Sequence, residues 1–210
     1  VLIQQPVYYP FSEVILDNGR RLVSSDLVLD EKTGRYQIDF ADFEKKIIEN
    51  RVRLFLLCSP HNPVGRVWSR EELQQLGRIC RRHGVIVFSD EIHADFVWHG
   101  QHQVFAAADP DFAAFTITAT SPSKTFNIAG LQVSNIFIPD AALRRQFRRA
   151  YNASGYSQLN AAGLIAAEAA YRDGGVWYDA VKAYLKDNIA YMREFIAARL
   201  PELRMIEPEG

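Results

Sequence analysis

Four short segments carry side chains that could do chemistry together. Pro6-Val7-Tyr8-Tyr9 offers an aromatic face, and Ser59-Pro60-His61-Asn62-Pro63-Val64-Gly65 offers an amide. Asp90-Glu91-Ile92-His93 presents a carboxylate with an imidazole nearby, and Ser121-Pro122-Ser123-Lys124-Thr125-Phe126 places a hydroxyl three residues before a lysine. Taken singly these are weak patterns: Asn-Pro-x-Gly makes a turn, Asp-Glu is an ordinary strand end, and Ser-x-x-Lys is common. Together they supply a stacking surface, hydrogen-bonding groups, an anion, and an amine that becomes nucleophilic or basic once it is partly unprotonated.

Each segment follows an apolar run that reads as a strand. The runs are residues 1–3, 52–57, 85–89 and 115–119, with a further strand at 133–138 ended by Pro139 and Asp140. Helical spacing separates them. Residues 11–15 repeat apolar positions at i, i+3 and i+4, and Asp39 can cap a helix whose Phe40, Phe43 and Ile47 share a face. Asp30 to Gly34 reads as a polar turn. Ser69-Arg70-Glu71-Glu72 is a capping box that opens a helix through Leu73, Leu76 and Cys80, stopped by Gly84. The last third is helical, Ala-rich over residues 160–171 and amphipathic over 176–200. Strands alternating with helices predict an α/β fold, a three-layer sandwich around a mostly parallel sheet. Ligands of such sheets sit at the carboxyl ends of the strands, so the four segments belong to one rim.

The chain has 210 residues, 48% of them hydrophobic and 23% charged, which is enough apolar material for a sizeable core and excludes disorder for the bulk. Its 24 basic and 25 acidic residues leave a net charge of −1, so no overall field favours nucleic acid or a membrane surface. Arg144, Arg145, Arg148 and Arg149 share one helix and read as a solvated face. His99-Gly100-Gln101-His102 reads as a polar loop, and no metal site is expected. Cys58 and Cys80 are too few for a disulfide framework; with no apolar run of membrane-spanning length, a cytoplasmic location is expected. Val1-Leu2-Ile3 without an initiator Met, and an end just after an apolar stretch, read as a piece of a longer protein.

The joint occurrence of these motifs in this order resembles the pyridoxal 5'-phosphate (PLP) enzymes of the aspartate-aminotransferase fold, fold type I of the class I/II aminotransferase family. Cys58-Ser59-Pro60-His61-Asn62-Pro63-Val64-Gly65-Arg66-Val67-Trp68, Ser89-Asp90-Glu91-Ile92-His93 and Ser123-Lys124-Thr125-Phe126-Asn127 look most like its cystathionine β-lyase-type carbon-sulfur lyase branch. The resemblance covers nearly the whole chain. It implies a PLP-binding large domain over residues 1–175, its N-terminal part missing, and a helix over 176–210 leading to a small domain. It further implies that Lys124 bonds to the cofactor aldehyde and then takes the substrate α-proton, and that Asp90 keeps the pyridine nitrogen protonated. Asn62 and His93 would hydrogen-bond the ring's phenolic oxygen, Tyr8 would stack on the ring, Ser121 would bind the phosphate and Tyr9 would face the substrate.

The resemblance implies a homodimer acting on a small amino-acid substrate, splitting cystathionine or a cysteine conjugate to a thiol, pyruvate and ammonia. An aminotransferase is the alternative, and a cofactor-sensing regulatory module is a third class. Two departures stand out. Gln132 takes the position of a phosphate-binding arginine, and the family's phosphate loop and substrate-carboxylate arginine fall outside the chain.

Overall fold

Side chains alternate across a strand, so a sheet covered on both faces must send successive residues into two different cores. The computed structural model describes residues 1–156 and 158–210. In chain order the strands are β1 (Leu2–Ile3), β2 (Val23–Ser24), β3 (Val28–Asp30), β4 (Arg35–Gln37), β5 (Leu54–Cys58), β6 (Ile86–Asp90), β7 (Thr116–Thr120) and β8 (Asn135–Phe137). The helices are α1 (Pro10–Asp17), α2 (Phe40–Asn50), α3 (Arg70–Arg82), α4 (Pro122–Thr125), α5 (Ala141–Ala153), α6 (Ala161–Asp173) and α7 (Gly175–Arg199). Six strands form one sheet in the order β2-β1-β5-β6-β7-β8. All its pairings are parallel except β7 with β8, which is antiparallel. This is the α/β, mostly parallel architecture that the alternating pattern predicts.

The alternation is visible residue by residue. Leu2, Phe55 and Leu57 enter a large core with Phe43 and Ile47 of α2, Leu73, Leu76 and Ile79 of α3, and Phe105 and Phe112. Their neighbours Ile3, Leu56 and Cys58 turn to the opposite face and meet Phe11 and Ile15 of α1. The two faces are not equally covered. Leu54, Leu56 and Phe88 stay half-buried and line, with Phe11, Val14 and Ile15, an apolar groove of about 440 Å³. The expectation that residues 52–57 are buried on both sides therefore holds on the α2/α3 face only.

Local chemistry sets the helix starts. The Asp39 carboxylate accepts from the Asp42 N–H, and Ser69 and Glu72 form a reciprocal capping box. Asp140 and Asn160 cap α5 and α6 through Leu143 and Gly163. The strands at 54–58, 86–90 and 116–120 each begin one or two residues later than their hydrophobicity suggests, because pairing rather than apolarity marks their ends. The strand expected over 133–138 shrinks to Asn135–Phe137. The polar turn at Asp30 to Gly34 joins β3 to β4, an antiparallel hairpin whose short strands carry no clear alternation. The amphipathic reading of residues 176–200 is corrected in one respect: α7 forms, but none of its residues is buried, and Trp177, Tyr184, Tyr191 and Phe195 are exposed. Its apolar residues are spread around the helix, and only its first turn meets aromatic rings from elsewhere among the described residues: Trp177 stacks on Phe126 with ring centroids 5.7 Å apart, and Tyr178 lies 6.3 Å from Phe96. Arg145, Arg148 and Arg149 of α5 are exposed, while Arg144 folds back to donate to the Ile138 and Pro139 carbonyls. Among the described residues no helix is long and apolar enough to cross a membrane.

Close packing between α3 and the residues before β7 gives a test of the large core. A Cβ added at Gly77 would lie 2.1 Å from ring carbons of Phe112. Gly77→Ala should therefore destabilise the full-length protein by about 1–3 kcal/mol through overpacking, despite alanine's better helix propensity. Urea unfolding checks it, and an unchanged or raised midpoint would refute the packing argument.

Candidate active site

Parallel pairing in register brings the strand ends level. Cys58 of β5 lies opposite Asp90 of β6, and Asp90 lies opposite Ala119 of β7. The chain leaves all three strands at this level, and one cavity forms there, lined by Tyr8, Phe11, Cys58, Asn62, Asp90, Ile92, His93 and Lys124. Five of the residues selected from the sequence, Tyr8, Asn62, Asp90, His93 and Lys124, thus converge from four separate segments. A second cavity of about 170 Å³ adjoins it, sharing Asn62 and His93 and adding Pro60, His61 and Phe96.

The electrostatics of the cavity centre on Asp90. Burial raises its carboxyl above the ordinary range, and the neighbouring Glu91 charge pushes the same way, while the Ile92 N–H and the Lys124 charge pull it down. Its Oδ1 accepts from Ile92 N–H at 3.2 Å, and among the described residues the carboxylate has no other hydrogen bond. A half-buried carboxylate in this state calls for a cation. Burial lowers the His93 imidazole, with the Lys124 charge adding to the effect. Burial pushes the Cys58 thiol up to about 12, so it stays protonated. Lys124 closes the last turn of α4, and its side chain is exposed in this chain rather than enclosed by apolar neighbours.

The segment carrying Asn62 is held by its own short-range bonds. Cys58 Sγ donates to the Pro60 carbonyl at 3.3 Å and accepts from the Asn62 N–H at 3.4 Å. Gly65 takes a positive φ of 67° and donates to the His61 carbonyl at 2.9 Å, closing the turn that Asn-Pro-x-Gly implies. Arg66 then enters the interior almost fully buried. Its guanidinium donates to both Glu72 oxygens at 2.7 and 2.9 Å, to Glu209 at 3.0 Å, and to the Tyr36 carbonyl. One side chain therefore joins the Asn62 segment, the start of α3, the β3–β4 hairpin and the C-terminal stretch.

Two selected residues lie elsewhere. The Ser121 hydroxyl caps α4, accepting from the Ser123 N–H at 3.0 Å, and donates to the Val133 carbonyl at 2.6 Å; it does not line the cavity. Tyr9 precedes α1 and is exposed, while Tyr8 packs edge-on against Phe11. Gln132 takes a positive φ of 54° at the end of the turn over 129–131. The polar-loop reading of residues 99–102 is corrected for His102, whose Nε2 meets the buried Glu91 carboxylate at 2.7 Å. Sequence reasoning assigned no role to Cys58 or Arg66. The signal for Arg66 was a charge placed inside the apolar stretch Val64 to Trp68, which requires a buried partner.

A mostly parallel sheet with an amine, a carboxylate, an amide and aromatic rings gathered where its strands end defines the PLP fold type I architecture. The chain belongs to the class I and II aminotransferase family, whose model matches residues 1–210. It is 46% identical to the cystathionine beta-lyase PatB of Bacillus subtilis over 211 residues, covering all of this chain and 54% of that protein. Among solved structures, cystalysin from Treponema denticola, which contains a pyridoxal 5'-phosphate cofactor, superposes with a TM-score of 0.92 at 38% identity over 96% of this chain and 51% of that one. The PLP-bound C-S lyase from Staphylococcus hominis gives 0.90 at 40% identity, covering 99% and 53%. The chain spans about half the length of the curated relatives it matches.

His61 supplies a pH-dependent test of this end of the sheet. Burial lowers its pKa to about 4, with Nε2 3.0 Å from the Pro6 carbonyl and Nδ1 without a partner among the described residues. Between pH 6.5 and about 4 the unfolded state binds a proton here that the folded state refuses, so acidification destabilises the fold. The stability of the full-length protein should fall more steeply over that window than in His61→Gln, by up to about 1.4 kcal/mol per pH unit. Equal slopes in urea unfolding across this range would show that His61 is not buried uncharged.

Proposed function

We propose that the full-length protein is a PLP-dependent carbon-sulfur β-lyase that acts on cystathionine or related cysteine conjugates. The observation that carries this reading is the convergence of Tyr8, Asn62, Asp90, His93 and Lys124 on one cavity at the strand ends. The groups suit the cofactor. Asp90 is a half-buried carboxylate short of a partner, as a protonated ring nitrogen requires, and Lys124 is an amine free of any ion pair among the described residues. The Asn62 side chain makes no hydrogen bond among the described residues, leaving it, with His93, for a ring oxygen. Tyr8 would lie on the ring face, and Ser121 would serve the phosphate through the start of α4 once its hydroxyl exchanges the Val133 carbonyl for a phosphate oxygen.

Bound there, PLP supplies an electron-accepting ring that acidifies the substrate Cα–H. Lys124 would take that proton at Nζ. Asp90 would hold a proton on the ring nitrogen by a charge-assisted hydrogen bond, and Asn62 and His93 would fix the ring's rotation. Breaking the Cβ–S bond sends its electron pair out with the thiolate, and water completes conversion of the remainder to pyruvate and ammonia. The carbon-sulfur lyases at 38–46% identity support elimination over transamination. We further assign residues 1–175 to the cofactor domain and 176–210 to the helix entering a small domain, in a cytoplasmic homodimer. Sedimentation of full-length protein at micromolar concentration checks the dimer, and an active monomer would refute it.

Three measurements test the reading. Full-length protein should release pyruvate and a thiol from L-cystathionine with no 2-oxo acid present; a new amino acid formed only with added 2-oxo acid would mark an aminotransferase instead. Lys124→Ala should lose covalent attachment of the cofactor on borohydride reduction, and Asp90→Ala should lower turnover on the order of a thousandfold. Attachment at another lysine, or near-normal turnover without Asp90, would overturn the assignments.

A further inference from the structure

Lys124 sits on a helix of one turn. The Phe126 N–H closes α4 on the Pro122 carbonyl at 2.9 Å, and the Ile128 N–H follows on the Ser123 carbonyl at 3.0 Å. A single turn does not hold itself, because fixing its residues costs more entropy than so few bonds return. Two hydroxyls tie it to other segments. At its start Ser121 donates to the Val133 carbonyl at 2.6 Å, and at its end the buried Thr125 hydroxyl donates to the Asp95 carboxylate at 2.6 Å. Among the described residues Asp95 is the only hydrogen-bond partner of that hydroxyl, and Thr125 the only one of that carboxylate.

Asp95 belongs to the turn that leaves β6. The Ala94 N–H donates to the Glu91 carbonyl and the Phe96 N–H to the His93 carbonyl, both at 3.0 Å, so Asp90, His93 and Asp95 ride on one compact run of backbone. The Asp95 carbonyl also accepts from the Tyr178 hydroxyl at the start of α7. From this arrangement we infer that Asp95 and Thr125 are positioning residues: their hydrogen bond fixes α4 against the turn that carries His93, and so sets where Lys124 Nζ stands in the cavity. This rests on the cofactor reading above. In that reading Ser121 gives up Val133 for the phosphate, which leaves Thr125–Asp95 as the remaining side-chain hydrogen bond from α4 to another segment of the chain among the described residues.

The experiment is PLP capture by the full-length apoenzyme. Attachment, in which Lys124 Nζ replaces the aldehyde oxygen and water leaves, is followed by absorbance and borohydride trapping; affinity without attachment is measured by equilibrium dialysis of PLP in a Lys124→Ala background. Thr125→Val keeps the side chain's shape and removes the hydroxyl. It should slow attachment and lower kcat about tenfold each, with KM nearly unchanged, since misplacing a reacting group costs rate rather than affinity. In the Lys124→Ala background it should leave the PLP dissociation constant where it was, and Thr125→Ser should restore both rates. Weaker PLP binding on Thr125→Val in that background would show a general loosening of the site and overturn the inference, as would Thr125→Ser impaired as much as Thr125→Val. Should Thr125→Val fail to fold, the exposed Asp95 decides: slow attachment in Asp95→Ala with a near-normal rate in Asp95→Asn, which still accepts the bond, supports the inference, and equal rates in the two overturn it. Wild-type protein that takes up no PLP, or attaches it to another lysine, overturns the cofactor reading and this inference with it. Attachment at Lys124 with Thr125→Val at the wild-type rate defeats the inference only.

Discussion

The backbone ladder at the ends of β5, β6 and β7 governs the rest of the site. Ser59 N–H donates to the Asp90 carbonyl at 2.9 Å and Glu91 N–H to the Ala119 carbonyl at 2.8 Å, so three chain segments must leave the sheet at one level. Parallel strands satisfy their polar groups only through such neighbours, and the side-chain period of two then decides which face each residue meets. Asp90 and Glu91 are adjacent carboxylates with opposite fates for this reason. A slip of one residue would bury the first and present the second to the cavity.

Around that ladder, a single buried guanidinium keeps the Asn62 segment in place. Arg66 draws together Glu72, Glu209 and the Tyr36 carbonyl, and stacks 4.5 Å above the Trp68 ring. Glu72 is also the partner in the capping box of Ser69, so the start of α3 and the turn after β5 share one set of carboxylate oxygens. A charge this deep is tolerable only because two carboxylates and a carbonyl surround it. The result is a rigid support beside a cavity whose own polar groups, Asn62 and Asp90, are left short of partners. Stability and ligand capacity are thus divided between neighbouring residues of one loop.

Burial is distributed just as unevenly. The α2/α3 face of the sheet is a closed core, whereas the α1 face leaves Leu54, Leu56 and Phe88 lining an apolar groove and α7 displays its aromatic residues. Lys124 lies at the strand-end rim, where this chain encloses Asp90 and leaves the amine exposed. The enclosure of the rim is therefore one-sided, with burial already raising the carboxyl of Asp90.

Much was legible without coordinates. Alternating apolar runs and helical periods imply the α/β class, the capping signals at Asp39 and Ser69 mark helix starts, and Tyr8, Asn62, Asp90, His93 and Lys124 stand out because each follows a strand-like run. What only the tertiary structure decided depends on partners remote in sequence. The antiparallel β8, the β3–β4 hairpin and the exact-length trimming of each strand follow from pairing, which a two- or three-residue strand cannot announce. Ser121 donating to Val133, His102 reaching Glu91, and Arg66 meeting Glu209 are contacts over 12, 11 and 143 residues. Local periodicity reports which way a side chain faces, but the identity of the group it faces is settled by the fold, because the energy of a buried polar atom resides in its partner.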